Sequence, residues 1–68
     1  MSDAYIVRDP QGRVIGISTL SEYAALGDAW SSRLLPPLFK HELHLKLASD
    51  GLPAEHSGYT LTRERVAL

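Results

Sequence analysis

Apolar and polar positions change period along this chain, and each change predicts an element. Residues 4–18, AYIVRDPQGRVIGIS, set the β-branched Ile6, Val7, Val14, Ile15 and Ile17 on either side of Asp9-Pro10-Gln11-Gly12. Asp at the first turn position, Pro at the second and Gly at the fourth are the preferences of a type I turn. Gly12 suits the positive φ that closes such a hairpin with a bulge. The stretch predicts a β-hairpin with apolar residues on both faces, one face against helices and the other partly covered by a third strand or a second subunit. The spacing then becomes helical. Leu20, Tyr23, Ala24, Gly27, Trp30 and Leu34 form a stripe, which predicts an amphipathic helix. Thr19-Leu20-Ser21-Glu22 fits a capping box at its start. It runs toward Pro36-Pro37 as one helix, or as two if Gly27 ends the first and Asp28 caps the second. Gly27 is alternatively a point of close packing against the hairpin. Trp30 with Tyr23 could form an exposed interaction anchor, but such residues at helical spacing are more often core, and core is the expectation here.

Pro36 to Gly51, PPLFKHELHLKLASDG, is the stretch around which the rest is organised. Pro37 suits a first helical position, where its missing N–H is no loss. Gly51 suits the left-handed residue just past a helix end, and Pro53 forbids resumption. On a helical wheel the apolar residues make two arcs, Phe39, Leu43 and Leu47 in one and Leu38, Leu45 and Ala48 in the other. Glu42 and Lys46 lie between them at a favourable i,i+4 spacing, and Lys40, His41 and His44 fill the remaining polar arc. A helix with two apolar arcs has two neighbours. The alternation of Leu43, Leu45 and Leu47 with Glu42, His44 and Lys46 also fits a strand. Leu, Glu, Lys and Ala favour the helix, and no β-branched residue occurs between Arg33 and Pro53.

Leu52 to Gly58 reads as a turn-rich connector, and Tyr59-Thr60-Leu61 as extended. Arg63 to Leu68 is either a short helix capped by Thr62 or a strand continuing to Val66. The sum is an α+β protein. Residues 1–68 form a small single domain with an N-terminal β-hairpin, two or three helices and a short C-terminal strand or wing.

With 68 residues and no cysteine, a core of this size contributes only about 3–5 kcal/mol and no disulfide reinforces it. Oligomerisation is the remaining means of reinforcement, and the second apolar arc predicts either a homodimer or a chain stable only with a partner. Leu38, Leu45 and Ala48 are the expected interface. No apolar run approaches the ~20 residues of a membrane span. Met-Ser-Asp-Ala lacks the basic and apolar regions of a secretion signal, so the expected location is cytoplasmic, with no membrane partner.

The net charge of −1 exerts no global pull on nucleic acid. Its distribution is uneven, because Arg33, Lys40, Lys46, Arg63 and Arg65, with all three histidines, lie in the second half. An anion-binding surface is expected there. His41 and His44, at i,i+3 on a helix, are candidates for zinc with His56 or Glu55, but such spacing more often marks a solvated polar arc, and no metal or other cofactor is expected. The serines sit in caps, loops and helix surfaces, and no nucleophile elbow, P-loop or dinucleotide fingerprint occurs. A non-enzymatic protein is expected.

The run Leu47-Ala48-Ser49-Asp50-Gly51-Leu52-Pro53-Ala54, followed by Gly58-Tyr59-Thr60-Leu61-Thr62, resembles the end of a winged helix-turn-helix DNA-binding domain. In that family a recognition helix ends in a Gly-Leu turn, a short wing follows, and a Tyr-x-Leu-Thr strand leads into a last helix, here Arg63 to Leu68. The resemblance covers residues 47–68. Upstream, the Ala-x-x-x-Gly spacing of a turn between two such helices is absent, and Pro36-Pro37 is unusual before a recognition helix. The resemblance implies a DNA-binding transcriptional regulator acting as a dimer, with Lys40, His41 and His44 entering a groove and Arg63 and Arg65 holding phosphates. The competing expectation is a protein-binding inhibitor or adaptor, of the kind phages and mobile elements encode, that docks on a larger protein through an apolar helix face.

Overall fold

Two hairpins enclose two helices in the computed structural model, which describes residues 2–67. The elements are β1 (Ser2–Arg8), β2 (Val14–Ser18), α1 (Glu22–Ser31), α2 (Pro37–Asp50), β3 (Ala54–His56) and β4 (Tyr59–Val66). The strands form one antiparallel four-stranded sheet in the order β2-β1-β4-β3. The two ends of the chain therefore meet at its centre, where β1 pairs β4 from Ser2↔Val66 to Arg8↔Thr60. This long pairing explains why the chain continues as strand through Val66. The last helix implied by the resemblance does not form over the described residues, and Leu68 lies outside them.

The first turn is the expected one. The Asp9 carbonyl accepts from the Gly12 N–H at 2.9 Å, and Gly12 has φ 85°. The Asp9 carboxylate is buried and holds the loop, accepting from the N–H groups of Gln11 and Arg13 and from Arg13 Nε. Burial works against its charge, but these donors outweigh it and hold the Asp9 carboxyl below its usual range. The second hairpin turns through Ser57 and Gly58, with φ 51° and 86°, as a two-residue hairpin loop requires. The expected connector thus contains a strand, β3, because Ala54 to His56 pair back onto Tyr59 to Leu61.

One face of the sheet carries both helices. Val7 lies between Gly16 and Leu61, with Ala54 beyond, and this row packs with Ala25, Leu26, Ala29, Leu35, Leu43 and Leu47 into one core. A bulge opposite Val7 and Arg8 adds Ile15 to the same core. The other face has no layer over it. There Arg8 pairs with Glu64 across the Ile6↔Thr62 row, the Thr62 hydroxyl also donates to Glu64, and Ala4 and Ile6 are buried beneath them. The Arg8 guanidinium, then the Thr62 hydroxyl, holds the Glu64 carboxyl below its usual range. The protein's own side chains cover Ala4 and Ile6 on this face, while Val14 and Ile17 of β2 remain about half exposed on it.

Helix α1 departs most from expectation. Its N-cap is Ser21, whose Oγ accepts from the Ala24 N–H at 3.0 Å, and not Thr19. It passes Gly27 without a break and ends at Ser31. Its buried residues are Ala25, Leu26 and Ala29, so the predicted Leu20-Tyr23-Trp30-Leu34 stripe points outward. The cause is the close approach of α1 to β2. A Cβ on Gly16 would lie 2.6 Å from the Ala25 carbonyl oxygen and 2.7 Å from the Ala29 Cβ. Only small side chains fit such a contact, which forces the bulky residues to the far side. Gly27 has nothing within 4 Å of where its Cβ would be, so the close contact belongs to Gly16. Asp28 Oδ2 accepts from the Ile17 N–H at 3.0 Å and Ser32 Oγ reaches the Ile15 carbonyl at 3.4 Å. The Asp28 bond covers part of the free edge of β2, while the Ser32 hydroxyl donates at 3.0 Å to the nearer Ala29 carbonyl.

Helix α2 follows the helical reading, with Pro37 in its first turn and Gly51 beyond its end at φ 75°. Leu43 and Leu47 are buried and Phe39 packs against the core, while Leu38, Leu45 and Ala48 face solvent.

Candidate docking surface

Apart from Val14 and Ile17 of β2, the large apolar side chains exposed among the described residues belong to the helices and the segments beside them. Leu20, Tyr23, Trp30, Leu34, Leu38 and Leu45 are between 47% and 86% exposed. Tyr23, Trp30 and Leu34 come from α1 and the segment after it, Leu38 and Leu45 from α2. Two adjoining hollows share Trp30 and Pro37 as walls. The larger, about 650 Å³, lies between Trp30, Leu34, Leu35 and Pro36. The smaller, about 270 Å³, lies between Trp30, Lys40, His41 and His44. Leu34 reaches this surface because the chain turns sharply after α1. Arg33 has φ 63°, and the N–H groups of Leu34 and Leu35 both donate to the Ala29 carbonyl. That turn sends Leu35 into the core and leaves Leu34 outside.

The cations expected to bind an anion divide into two groups. Lys40, His41 and His44 lie together beside α1. Lys40 Nζ sits 5.2 Å from the centre of the Trp30 ring, within reach of a cation–π attraction. The His44 ring lies 4.7 Å from that of Tyr23, and His41 is exposed in the smaller hollow. Arg63 instead opens onto a separate cleft of about 840 Å³ beside Tyr5, Glu22, Tyr23 and Leu52. Arg65 pairs with Asp3 at 3.6 Å. The third histidine, His56, stacks edge-on against Phe39 with ring centres 4.9 Å apart. It is therefore not beside His41 and His44. No group of three His, Cys, Asp or Glu placed to hold a metal ion occurs among the described residues.

Leu38, Leu45 and Ala48, expected as an interface, are all on the exposed side of α2. The sequence ranked Tyr23 and Trp30 as core ahead of an exposed anchor, and it gave no sign of Arg33 and Leu34 as companions of that face. A usable signal was present in Ala25, Ala29 and Gly16: small residues at helical spacing, and a glycine within a strand, mark a close helix–sheet approach that excludes a tryptophan. No helix of the described residues is long and apolar enough to cross a membrane. No family model, no curated protein and no solved structure matches this chain.

Proposed function

We propose that this protein is a non-enzymatic, cytoplasmic adaptor or inhibitor that docks on a larger protein through the outer face of its helix pair. The observation that carries this reading is the apolar face itself. Trp30, Leu34, Leu38 and Leu45 are each about half exposed or more, on helices rigidly backed by a sheet. Trp30 beside the exposed Leu34 around a hollow, with Leu38 and Leu45 exposed on α2, has the composition of an interface hot spot, and exposed apolar surface of this kind marks interaction sites. DNA binding has less support. Leu38 and Leu45 occupy the arc that a recognition helix would turn to the groove. Lys40, His41 and His44 lie toward α1, while Arg63 and Arg65 belong to another part of the surface.

A library of displayed random peptides, panned against the protein and in parallel against L34E/L38E, tests the reading. Both substituted positions are more than half exposed, so the variant keeps the wild-type circular dichroism spectrum. Enrichment on the wild type that the variant abolishes is the expected result. No enrichment, or equal enrichment on both, overturns the reading.

A further inference from the structure

Resting on the docking face proposed above, we infer that its occupant is an acidic amphipathic peptide segment, with apolar anchors in the hollows around Trp30 and carboxylates over the cations that rim them. The two hollows are lined by Arg33, Lys40, His41 and His44, and no Asp or Glu lines either. Arg33 and Lys40 thus give the hollows a local excess of positive charge in a chain of net charge −1, a property of the site and not of the composition. The first turn of α2, at the edge of the larger hollow, has no side-chain cap, and its partial positive charge has the same sign.

The cations here are also outside the ion pairs of the described residues. Among the described residues, ion pairs join Arg8 to Glu64, Arg13 to Asp9 and Arg65 to Asp3, and none engages Arg33 or Lys40. Arg33 stands at φ 63°, a conformation for which glycine or asparagine is the ordinary choice. A long cationic side chain at such a position is held at the mouth of the hollow by a backbone that does not favour it, a pattern associated with binding sites.

The same chemistry argues against two other occupants. A second copy docked face to face would set these cations against their own kind, which costs affinity instead of adding it. A nucleic acid would meet Leu34 and Leu38 without gain, and the Trp30 ring already has Lys40 near its centre, which leaves it less open to base stacking.

The peptides enriched on the protein in the selection above supply the probe. Sequencing of the pool should show large apolar residues spaced for one helix face, interspersed with Asp and Glu, and a net negative charge. A synthetic peptide of the pool consensus should shift the Trp30 emission, and its affinity should fall about tenfold from low to high salt, the scale set by screening of several such pairs. Panning against R33E/K40E should invert the preference toward Lys- and Arg-containing peptides. A neutral or basic wild-type pool overturns the acidic partner while leaving the docking face standing, whereas an empty pool overturns both. Self-association in sedimentation that L34E/L38E abolishes would assign the face to a second copy. An oligothymidine that binds the protein more tightly than the consensus peptide would assign it to nucleic acid. Either result overturns the inference.

Discussion

Substituting Gly16 and Gly27 in turn tests the packing argument most sharply, because the expected signs are opposite. Gly16 lies in β2 beneath α1 and Gly27 within α1. In Gly16→Ala the new methyl carbon would meet the Ala25 carbonyl oxygen at 2.6 Å and the Ala29 N and Cβ at 2.7 Å. Two of these atoms belong to the helix backbone, so no side-chain rotation relieves the clash. Ordinary contact begins near 3.4 Å, so α1 must retreat by about 0.7–0.8 Å. A gap of that size forfeits roughly a quarter to a half of each dispersion contact along the interface. With strain included, overpacking of this kind costs about 1–3 kcal/mol. We expect the upper part of that range, since Ala25, Leu26 and Ala29 all lose contact with the sheet. Against a total near 3–5 kcal/mol for a domain of this size, the variant is close to unfolding. With a urea slope of about 1 kcal/mol per M, its midpoint falls by about 2 M. In Gly27→Ala the added methyl meets nothing within 4 Å, and the helix gains about 0.4–1 kcal/mol from the smaller entropy of the unfolded chain. Urea unfolding followed by far-ultraviolet circular dichroism measures both. If Gly16→Ala shifts stability by less than about 0.5 kcal/mol, or Gly27→Ala destabilises more than Gly16→Ala, the close contact is not where we place it.

Size and burial should separate in the same assay: Leu43→Ala, at 0% exposure, costs about 2–5 kcal/mol. Trp30→Ala removes a larger but half-exposed side chain and costs less than Leu43→Ala; the reverse order would return Trp30 to the core. Ser21→Ala should lower stability by about 1 kcal/mol through loss of the α1 cap, and Thr19→Ala should leave it within a few tenths, as urea midpoints will show. The Asp9 carboxyl titrates lower in the folded chain than in the unfolded one. Its contribution is therefore complete above the unfolded carboxylate pKa, and it is lost as pH falls through that value and then through the folded one. Asp9→Asn should flatten the acid side of the stability profile below about pH 4, and an unchanged acid limb would refute the role given to the turn carboxylate.

Local signals were read correctly wherever local chemistry decides. Asp9-Pro10-Gln11-Gly12 specified its turn because Asp9 can bond its own neighbours and Gly12 can reach positive φ. Pro37 and Gly51 bounded α2 for equally local reasons, and Phe39, Leu43 and Leu47 gave its inner arc. The exposed position of Leu38, Leu45 and Ala48 followed from the same wheel. The capping position failed by two residues because Thr19 and Ser21 offer the same hydroxyl. Which one caps depends on where β2 releases the chain.

What only tertiary structure decided is the orientation of α1 and, with it, the docking face. Read alone, Tyr23, Trp30 and Leu34 outweigh Ala25 and Ala29 as core residues, since burying more apolar area stabilises more. Gly16 reverses that preference by allowing a separation between helix and strand that no large side chain survives. Pairing of β1 with β4 across nearly the whole chain likewise settled Arg63 to Val66 as strand, a contact between distant segments that no local window contains. The division follows from range. The first turn and the limits of α2 are set by neighbours a few residues apart and are written in the sequence that way. The identity of an outer face depends on the distance between two packed elements, which is known only once both are in place.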